Sequence, residues 1–270
     1  MLVDGRQISE EIINSLAAQR SRLPEQLSLG VLMGEGNAAT DSFVRIKEKV
    51  AARLQVAVVR EVLGVGTTTE RAVVAATQLA RAHDGVILQL PLPPDLAIEK
   101  IAAVVPPIKD PDVFNGTNAL VQPPVAEAIA EILMRSGVSL RGMQAVVVGA
   151  GRLVGVPAAK YLRASGAHVL VITTSEGDLS ALKTADIVVL GAGEPGLVKP
   201  DMLKEGVVLI DAGTSEQAGR VVGDADPACE SVASLFTPVP GGVGPIAVAM
   251  LFKNLFTLAT QAKKERTPGA

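Results

Sequence analysis

The sequence predicts an α/β fold in two domains, an N-terminal α/β domain followed by a doubly wound, Rossmann-like domain. The chain of 270 residues is long enough for two domains of ordinary size. Short apolar runs of strand length alternate along it with stretches of helical periodicity. One such run leads directly into a G-x-G-x-x-G segment, as in a doubly wound sheet.

The composition indicates an aliphatic core and argues against binding of nucleic acid. Hydrophobic residues make up 48% of the chain, charged residues 20% and aromatic residues only 2%, so side chains on which bases could stack are scarce. The formal net charge is -3. The densest basic cluster, Lys263, Lys264 and Arg266, is interpreted as a solvated helix end.

The chain has few residues with which to form a disulfide or an ordinary zinc site. Cys229 is its single cysteine, and its two histidines are His83 and His168. The N-terminus lacks a basic segment followed by an apolar one, and no apolar run approaches the roughly 18 residues of a membrane span. We therefore expect a cytoplasmic protein with no metal and no membrane partner.

In the first half of the chain, strand-like and helix-like segments alternate in the order of a βαβαβ unit. Strands are predicted at residues 28–33, 56–63 and 85–90. Helices are predicted between them, at residues 42–54 and 69–82. Such an alternation favours a parallel sheet.

The pattern starts again after a helical stretch that leads to Gly137. Continuous apolar runs, which are typical of parallel strands covered on both faces, follow at residues 144–148, 168–172, 187–190 and 207–210. A boundary near Gly137 divides the chain into a first domain, residues 1–136, and a Rossmann-like domain, residues 137–244. The last helix, residues 245–262, is predicted to return to the first domain.

The glycine-rich segment predicts a dinucleotide site. The run Val146-Val147-Val148 ends at Gly149, and Gly151 and Gly155 complete the pattern before a helix. The first glycine permits a tight turn, the second lets backbone amides approach a pyrophosphate, and the third lets the helix pack closely. A glycine-rich turn without a ligand is the alternative.

The end of the next strand favours NADP over NAD. Thr173, Thr174 and Ser175 stand where an Asp or Glu would bind the ribose hydroxyls of NAD. Hydroxyl groups tolerate the additional phosphate of NADP better than a carboxylate does. Arg152 is the only cation nearby in the sequence, and NAD stays as the alternative cofactor.

A second candidate site lies on the helix between the first two predicted strands. At about 100° per residue, one apolar stripe contains Phe43, Ile46, Val50 and Leu54, and Lys47 lies inside it. The lysine either extends along the surface to reach water or lines a pocket. In a pocket, desolvation would lower its pKa, so that it could transfer protons near neutral pH.

Three further segments have the composition of ligand-facing turns. Gln89 ends a strand just before Leu90-Pro91-Leu92-Pro93, at the carboxyl edge of the predicted sheet. Asp110 and Asp112 form a turn, a helix cap or a recognition site, and the turn is the default. Residues 237–245 form a loop rich in Gly and Pro that offers backbone groups to a flat ligand or only leads into a helix.

Taken in order, these segments resemble the bifunctional methylenetetrahydrofolate dehydrogenase/methenyltetrahydrofolate cyclohydrolase family. The resemblance covers nearly the whole chain, from Asp4-Gly5-Arg6 to the helix after Pro245. Its most specific marks are the Phe43-x-x-x-Lys47 spacing, Gln89-Leu90-Pro91-Leu92-Pro93, Lys109-Asp110-x-Asp112 and residues 237–245.

The resemblance implies a homodimer of one-carbon metabolism that oxidises the folate-borne methylene group with NADP and hydrolyses the methenyl product. It implies Lys47 as the catalytic lysine, Gln89 as the residue that orients it, and Asp112 as the carboxylate that holds the pterin ring. The expected substrate contacts are Phe43, Pro240, Gly241 and Gly242. The expected dinucleotide contacts are Gly149, Ala150, Gly151, Thr174 and Thr214, together with the nearby cation Arg152.

Five positions depart from the family pattern. Phe43 replaces a tyrosine that stacks on the substrate, so that the ring face is kept and a hydroxyl is lost. Val113 stands where glycine is usual, and Gly151 replaces a serine in the phosphate loop. Pro123-Pro124-Val125-Ala126 replaces a Pro-Cys-Thr-Pro segment, and Ala247 replaces a threonine. These departures leave three alternatives open: a changed pterin, a weaker hold on the cofactor, or the loss of one activity.

Two other functions stay as alternatives. A divergent homologue would bind a dinucleotide or a pterin without turnover, but the joint presence of Lys47, Gln89 and Asp112 argues against it. Another two-domain dehydrogenase, such as a shikimate-type enzyme, would also pair a small α/β domain with a Rossmann-like one. The Pro-Gly-Gly-Val-Gly-Pro loop is the feature that discriminates against this second alternative.

Overall fold

Two parallel sheets, one of three strands and one of five, organise the chain. The structure is a computed structural model, and it describes residues 1–23, 26–36, 38–116, 118–173, 178–217 and 220–266. The chain forms two compact units. The three-stranded unit consists of Glu11–Pro124 and Val248–Ala270, and the five-stranded unit of Met1–Glu10 and Val125–Ala247.

The three-stranded unit follows the predicted βαβαβ alternation. Its parallel strands, in the spatial order β2-β1-β3, are β1 (Leu27–Gly34), β2 (Val56–Leu63) and β3 (Gly85–Gln89). The first five helices in chain order are α1 (Gly5–Gln19), α2 (Ala38–Arg53), α3 (Thr69–Ala82), α4 (Ile98–Ala103) and α5 (Pro124–Arg135). All of α5 after Pro124 belongs to the five-stranded unit. Helix α4 is not predicted from the sequence, because six residues are too few to show a helical period.

Helix α1 is also not predicted from the sequence, although Asp4 marks its beginning. The Asp4 carboxylate accepts hydrogen bonds from the backbone N–H groups of Arg6 at 3.1 Å and Gln7 at 3.0 Å. These amides have no partner within the helix, so an aspartate at this position stabilises the first turn. Ile13 and Leu16, on the second half of α1, are buried in the core of the three-stranded unit.

The C-terminal helix, α7 (Val243–Arg266), completes that core, which confirms the predicted return of the last helix. Its buried side chains in the cluster are Ala249, Leu251, Phe252, Leu255, Phe256 and Ala259. Contrary to the sequence-based expectation, α7 is long and apolar enough to cross a membrane. Most of its apolar stretch is buried against the protein's own side chains, as in the core helix of a globular protein.

The apolar stripe predicted on α2 is wrong in part. The fully buried residues are Thr40, Val44 and Ala51 of α2 and Leu54 directly after it, whereas Ile46 is 44% exposed. The buried face is therefore rotated from the predicted stripe by less than the roughly 100° that separates successive residues of a helix, since Leu54 belongs to both. Lys47 still falls on this face, since it lies three residues after Val44 and four before Ala51.

The five-stranded unit has the predicted doubly wound pattern of parallel strands. Its sheet has the order β10-β7-β6-β4-β5, and a short antiparallel pair is formed by β8 and β9. The strands are β4 (Gln144–Val148), β5 (His168–Ile172), β6 (Ile187–Leu190), β7 (Val207–Asp211), β8 (Ser215–Gln217), β9 (Arg220–Val222) and β10 (Ala233–Phe236). The glycine-rich segment leads from β4 into α6 (Gly155–Ala164).

Burial along these strands separates the centre of the sheet from its edge. Every residue of β6 and β7 is buried, as is all of β4 after Gln144, as the sequence predicts. For β5 the prediction of two covered faces is wrong, since Leu170 is 51% exposed. The reason is its position at the edge of the sheet, where fewer neighbours cover it.

The compact units have bounds that differ from the predicted domains. The change from one unit to the other falls between Pro124 and Val125, in the first turn of α5, whereas the predicted boundary lies near Gly137. Met1–Glu10 belongs with the five-stranded unit, because Met1 and Val3 exchange backbone hydrogen bonds with Phe236 of β10. The functional division into residues 1–136 and 137–244 stays a prediction.

Asn254 of α7 provides a test of how the last helix is held. Its buried Nδ2 donates to the backbone oxygens of Pro111 at 2.9 Å and Gln122 at 2.8 Å. We predict that Asn254→Leu lowers the free energy of unfolding by about 1–3 kcal/mol, since buried carbonyls lose their donor. Urea denaturation measures the loss, and Thr257→Ala, at an exposed site on the same helix, is the control. Equal stability of Asn254→Leu and wild type would contradict this role.

Candidate active site and dinucleotide loop

Lys47 is bound to the side chain of Gln89. The Nζ atom of Lys47 donates a hydrogen bond to Oε1 of Gln89 at 2.8 Å, and Nε2 of Gln89 donates to the Leu90 backbone oxygen at 3.1 Å. The second bond fixes the amide so that its oxygen faces the lysine. Both side chains are half-buried. Lys47 thus has a protein acceptor, as expected for a lysine that lines a pocket.

The sheet explains why these two residues meet. Gln89 is the last residue of β3, at the carboxyl edge, and pairs in register with Met33 of β1. The buried face of α2 brings Lys47 to the same edge, within hydrogen-bond distance of Gln89. The peptide bond that follows this edge, Leu90-Pro91, is cis, as is Val239-Pro240 in the five-stranded unit. Phe43 is half-buried one helical turn before Lys47, so that the two side chains share a face of α2.

The charges of Lys47 and Asp112 act on each other. Burial lowers the pKa of the Lys47 amine, and the Asp112 carboxylate opposes this shift. Burial raises the pKa of Asp112 to about 6; Lys47 lowers it and Asp110 raises it further. An amine with a lowered pKa and a carboxyl group with a raised pKa that act on each other are typical of sites of proton transfer.

The residues of the Lys109-Asp110-x-Asp112 motif have two different roles. Lys109 and Asp110 bind backbone groups, whereas the Asp112 side chain is partly open to solvent. The Lys109 amine donates to the oxygens of Ala80 at 2.6 Å and His83 at 2.8 Å, at the end of α3. Asp110 is 4% exposed, and its carboxylate accepts hydrogen bonds from the backbone amides of residues 112–115. Asp110 therefore holds the turn, which was its default interpretation, while Asp112 is half-buried.

Val113 adopts a backbone conformation that glycine would adopt more easily. Its φ angle is 52°, and its side chain is 4% exposed and packs with Val121 and Leu258. A non-glycine residue in this region costs about 1–2 kcal/mol, which gives a physical reason for the glycine of the family pattern. Burial of the valine side chain offsets part of that cost.

The glycine-rich loop of the five-stranded unit has the shape that a pyrophosphate requires. Gly149 has a φ of 99°, and a Cβ there would lie 2.4 Å from the oxygen of Gly191. A Cβ on Gly155 would lie 1.9 Å from the oxygen of Gly149, so the first and third glycines cannot be replaced without movement. At Gly151 the nearest atom would be 4.0 Å away, which leaves space for a ligand at the N-terminus of α6.

The other predicted dinucleotide contacts have different positions in this unit. Ala150 and Arg152 are exposed in the same loop, and Thr214 is exposed after β7. Thr173 is half-buried at the end of β5. Thr174 and Ser175, on which the preference for NADP partly depends, lie outside the described residues.

The Gly-Pro loop before α7 is held by the start of α1. A Cβ on Gly5 would lie 1.8 Å from the oxygen of Gly242, so the two backbone segments are in direct contact. Gly241 has a φ of 113°, and the Gly242 amide donates to the Pro238 oxygen at 2.7 Å. Pro240 is exposed at the tip of this turn.

The five-stranded unit also buries three polar residues, of which Asp211 and Asp224 are not predicted from the sequence and Thr237 is included only as the first residue of the segment 237–245. Asp211, Asp224 and Thr237 are each no more than 1% exposed. Burial raises the pKa of Asp211 to about 7, with a further contribution from Asp224, while backbone amides oppose the shift. The signal that could have revealed Asp211 is an aspartate directly after a continuous apolar run, at the carboxyl end of a central strand.

Two family models together match most of the chain. The model described as Tetrahydrofolate dehydrogenase/cyclohydrolase, catalytic domain, matches residues 3–112. The model described as Tetrahydrofolate dehydrogenase/cyclohydrolase, NAD(P)-binding domain, matches residues 123–263. The relative named Bifunctional protein FolD from Halothermothrix orenii is 36% identical over 270 residues, which is 94% of this chain and 95% of that protein.

Solved structures agree with these matches. The dehydrogenase-cyclohydrolase FolD of Trypanosoma brucei, complexed with NADP cofactor and an inhibitor, is similar with a TM-score of 0.90 and 30% identity, and 98% of each chain is covered. Shikimate 5-dehydrogenase of Thermus thermophilus has a TM-score of 0.54 at 18% identity, covers 88% of this chain and 99% of its own, and shares the fold alone. The chain therefore belongs to the tetrahydrofolate dehydrogenase/cyclohydrolase family.

Proposed function

We propose that the protein oxidises methylenetetrahydrofolate to methenyltetrahydrofolate with NADP and hydrolyses the product to formyltetrahydrofolate. The observation that carries this proposal is the desolvated amine of Lys47, bound to Gln89 and coupled to Asp112. Membership of the family supplies the reaction class. The buried amine supplies the proton-transfer group that the hydrolysis requires.

Lys47 performs the proton transfers of the hydrolysis. Water adds to the methenyl carbon, and the neutral amine takes the proton that the attacking water loses. The same proton then passes to the ring nitrogen as its bond to carbon breaks. The hydroxyl group on that carbon releases its own proton to solvent, which leaves a formyl group on the other nitrogen. Gln89 accepts a hydrogen bond from one N–H of the amine, and so directs the nitrogen lone pair, which accepts the proton, towards the substrate.

The oxidation makes fewer chemical demands on the chain. NADP, when bound, supplies the hydride acceptor. The residues of the chain position the two reactants, because hydride transfer needs the carbon atoms within about 3–3.5 Å of each other. Asp112 accepts hydrogen bonds from the nitrogen donors of the pterin ring, and Phe43 offers its ring face.

The loop of the five-stranded unit suits the pyrophosphate of the cofactor. Gly149 and Gly155 let the strand, the loop and α6 approach closely, and the open space at Gly151 leaves the backbone amides accessible. Ala150, Arg152, Thr174 and Thr214 complete the proposed contacts, and Pro240, Gly241 and Gly242 are proposed for the substrate.

The setting of the enzyme is part of the proposal. We expect a cytoplasmic homodimer in one-carbon metabolism, with no nucleic acid or membrane as partner. In support of a reducing compartment alone, the thiol of Cys229 is buried, donates to the Val198 oxygen at 3.4 Å, and has its pKa raised by burial to about 11. Such a thiol is poorly reactive and is not arranged for a disulfide.

One assay tests the proposed function directly. The purified protein is incubated with methylenetetrahydrofolate and NADP, and the absorbances of the methenyl product and the reduced nicotinamide are followed. The proposal requires both signals, followed by loss of the methenyl absorbance faster than its spontaneous hydrolysis. Absence of reduced nicotinamide would reject the dehydrogenase, and hydrolysis at the spontaneous rate would reject the cyclohydrolase.

Lys47→Met separates the two activities. We predict that it slows hydrolysis of directly supplied methenyltetrahydrofolate by at least about a hundredfold, as expected for the loss of a general base. Part of the dehydrogenase activity survives, since hydride transfer depends on position. Methionine keeps the length of the side chain and packs well in apolar surroundings, so the fold is preserved.

Lys49→Met is the matched control, because Lys49 is exposed on the same helix. Hydrolysis by Lys47→Met at the wild-type rate would show that Lys47 has no part in proton transfer. Loss of both activities in a folded Lys47→Met protein would show that the amine positions the substrate for both reactions instead.

Asp112 makes folate binding sensitive to pH. Its pKa is raised to about 6, so the carboxylate is ionised above this pH and gains a proton below it. We predict that tetrahydrofolate affinity, measured by calorimetry between pH 5 and 8, falls by up to about tenfold per pH unit below the pKa, because the protonated group loses acceptors. Asp112→Asn removes this pH dependence.

Asp112→Ala weakens tetrahydrofolate binding by about 1–3 kcal/mol at neutral pH, since ring donors lose their partner. Asp95→Asn, at an exposed position of the same unit, controls for the change in charge. Wild-type affinity in Asp112→Ala would return Asp112 to the role of a turn residue.

The cofactor preference rests on the hydroxyl groups at the end of β5 and on Arg152. We predict a higher kcat/KM with NADP than with NAD. In Arg152→Gln the ratio of the two kcat/KM values should be smaller, because the substitution removes a cation that would attract the 2′-phosphate. Initial rates with each cofactor give both ratios. A several-fold higher kcat/KM with NAD in the wild type would contradict the preference.

A further inference from the structure

Two aspartates that the proposed chemistry does not use lie buried beneath the loops of the five-stranded unit. Asp211 ends β7 and Asp224 follows β9; they are 1% and 0% exposed. Isolated carboxylates are costly to bury unless backbone or side-chain donors satisfy their oxygens. Their hydrogen-bond partners therefore indicate what the two residues hold in place.

Asp224 binds the segment that follows β6. Its Oδ2 accepts from the amides of Ala192 at 2.7 Å and Gly193 at 3.1 Å, and its Oδ1 accepts from the amide of Glu194 at 2.8 Å. Three consecutive amides thus converge on one carboxylate. Three hydrogen bonds to one buried side chain give this segment a fixed course.

That segment touches the glycine-rich loop. The residue before it is Gly191, whose oxygen would lie 2.4 Å from a Cβ on Gly149. A Cβ on Gly191 would itself lie 2.3 Å from Cγ1 of Val154, at the beginning of α6. Gly191 is therefore enclosed between Gly149, the first glycine of the glycine-rich loop, and the beginning of α6. A shift of residues 191–194 would move the loop.

Asp211 fixes the position of Asp224. Its Oδ2 accepts from the amide of Ala225 at 2.8 Å, and its Oδ1 accepts from the amide of Gly213 at 2.9 Å. Each carboxylate fills the space of a missing side chain: a Cβ on Gly213 would lie 2.2 Å from Cγ of Asp224, and one on Gly223 2.1 Å from Oδ2 of Asp211.

Thr237 connects this pair to the Gly-Pro loop. Its Oγ1 accepts from the amide of Asp211 at 2.7 Å, and Thr237 directly precedes Pro238 at the start of that loop. We propose that Asp224 and Asp211 are positioning residues for the dinucleotide, which together hold segments 191–194 and 212–214 in the arrangement that receives the cofactor. This inference rests on the proposed function of the five-stranded unit.

Asp224→Asn tests the proposal, because asparagine has one acceptor oxygen where three amides need partners. We expect the Kd for NADP, measured by calorimetry, to rise about tenfold or more, as for a loss of 1–3 kcal/mol. The kcat for hydrolysis of methenyltetrahydrofolate, which consumes no dinucleotide, stays at the wild-type value. A structural defect alone would lower the thermal stability and leave the Kd of the folded protein unchanged.

Asp226→Asn is the matched control. It makes the same chemical change two residues away, where the carboxylate accepts from the amide of Ala228 at 3.0 Å and from Lys199 Nζ at 2.9 Å. We expect its Kd for NADP to equal that of the wild type. Asp211→Asn, which keeps one of two acceptors, should raise the Kd by about threefold or more, and it replaces Asp224→Asn if that variant does not fold.

Amide hydrogen exchange of the wild type gives a second measurement that no folding defect can affect. The amides of Ala192, Gly193 and Glu194 should be protected before NADP is added, although Gly193 and Glu194 are exposed residues. Unprotected amides, or an unchanged Kd in the folded Asp224 or Asp211 variant, would overturn the inference. Failure of the wild type to bind NADP would instead reject the proposed function of this unit.

Discussion

An amine that is removed from water gives up its proton more readily than an exposed lysine, and the three-stranded unit keeps Lys47 in this condition. The helix face that carries Lys47 also carries the buried side chains of Thr40, Val44, Ala51 and Leu54, so it packs against the protein and not against water. Gln89 supplies the hydrogen bond that a buried donor requires, and does so without a charge that would hold the proton.

A second constraint, the close approach of backbone segments, organises the five-stranded unit. At Gly149, Gly155 and Gly191 a side chain would collide with a neighbouring backbone or side-chain atom. Asp224 binds the three amides that follow Gly191, and Asp211 binds the amides of Gly213 and Ala225. The ligand-facing side of the loop is thereby left to backbone groups, which suits a pyrophosphate of fixed geometry.

The sequence predicts those parts of the site that depend on local pattern. The glycine-rich loop follows from backbone sterics, and Lys47 from helical periodicity, although Ile46 shows that the predicted stripe was rotated from the buried face. The Lys47–Gln89 bond could not be predicted from periodicity, because it depends on how α2 lies on the sheet. Asp211 and Asp224 were missed for the same reason, since their burial arises from segments distant in sequence.

The central claim is that the Lys47 amine loses its proton more easily than an ordinary lysine. The most direct measurement is a pH titration of the lysine side-chain signals by NMR, in which Lys47→Met identifies the signal of Lys47 by its disappearance. Our account predicts a titration midpoint for Lys47 below the ordinary 10.5. A midpoint at or above that value would show that the amine is not desolvated, and would contradict the assignment of proton transfer to Lys47.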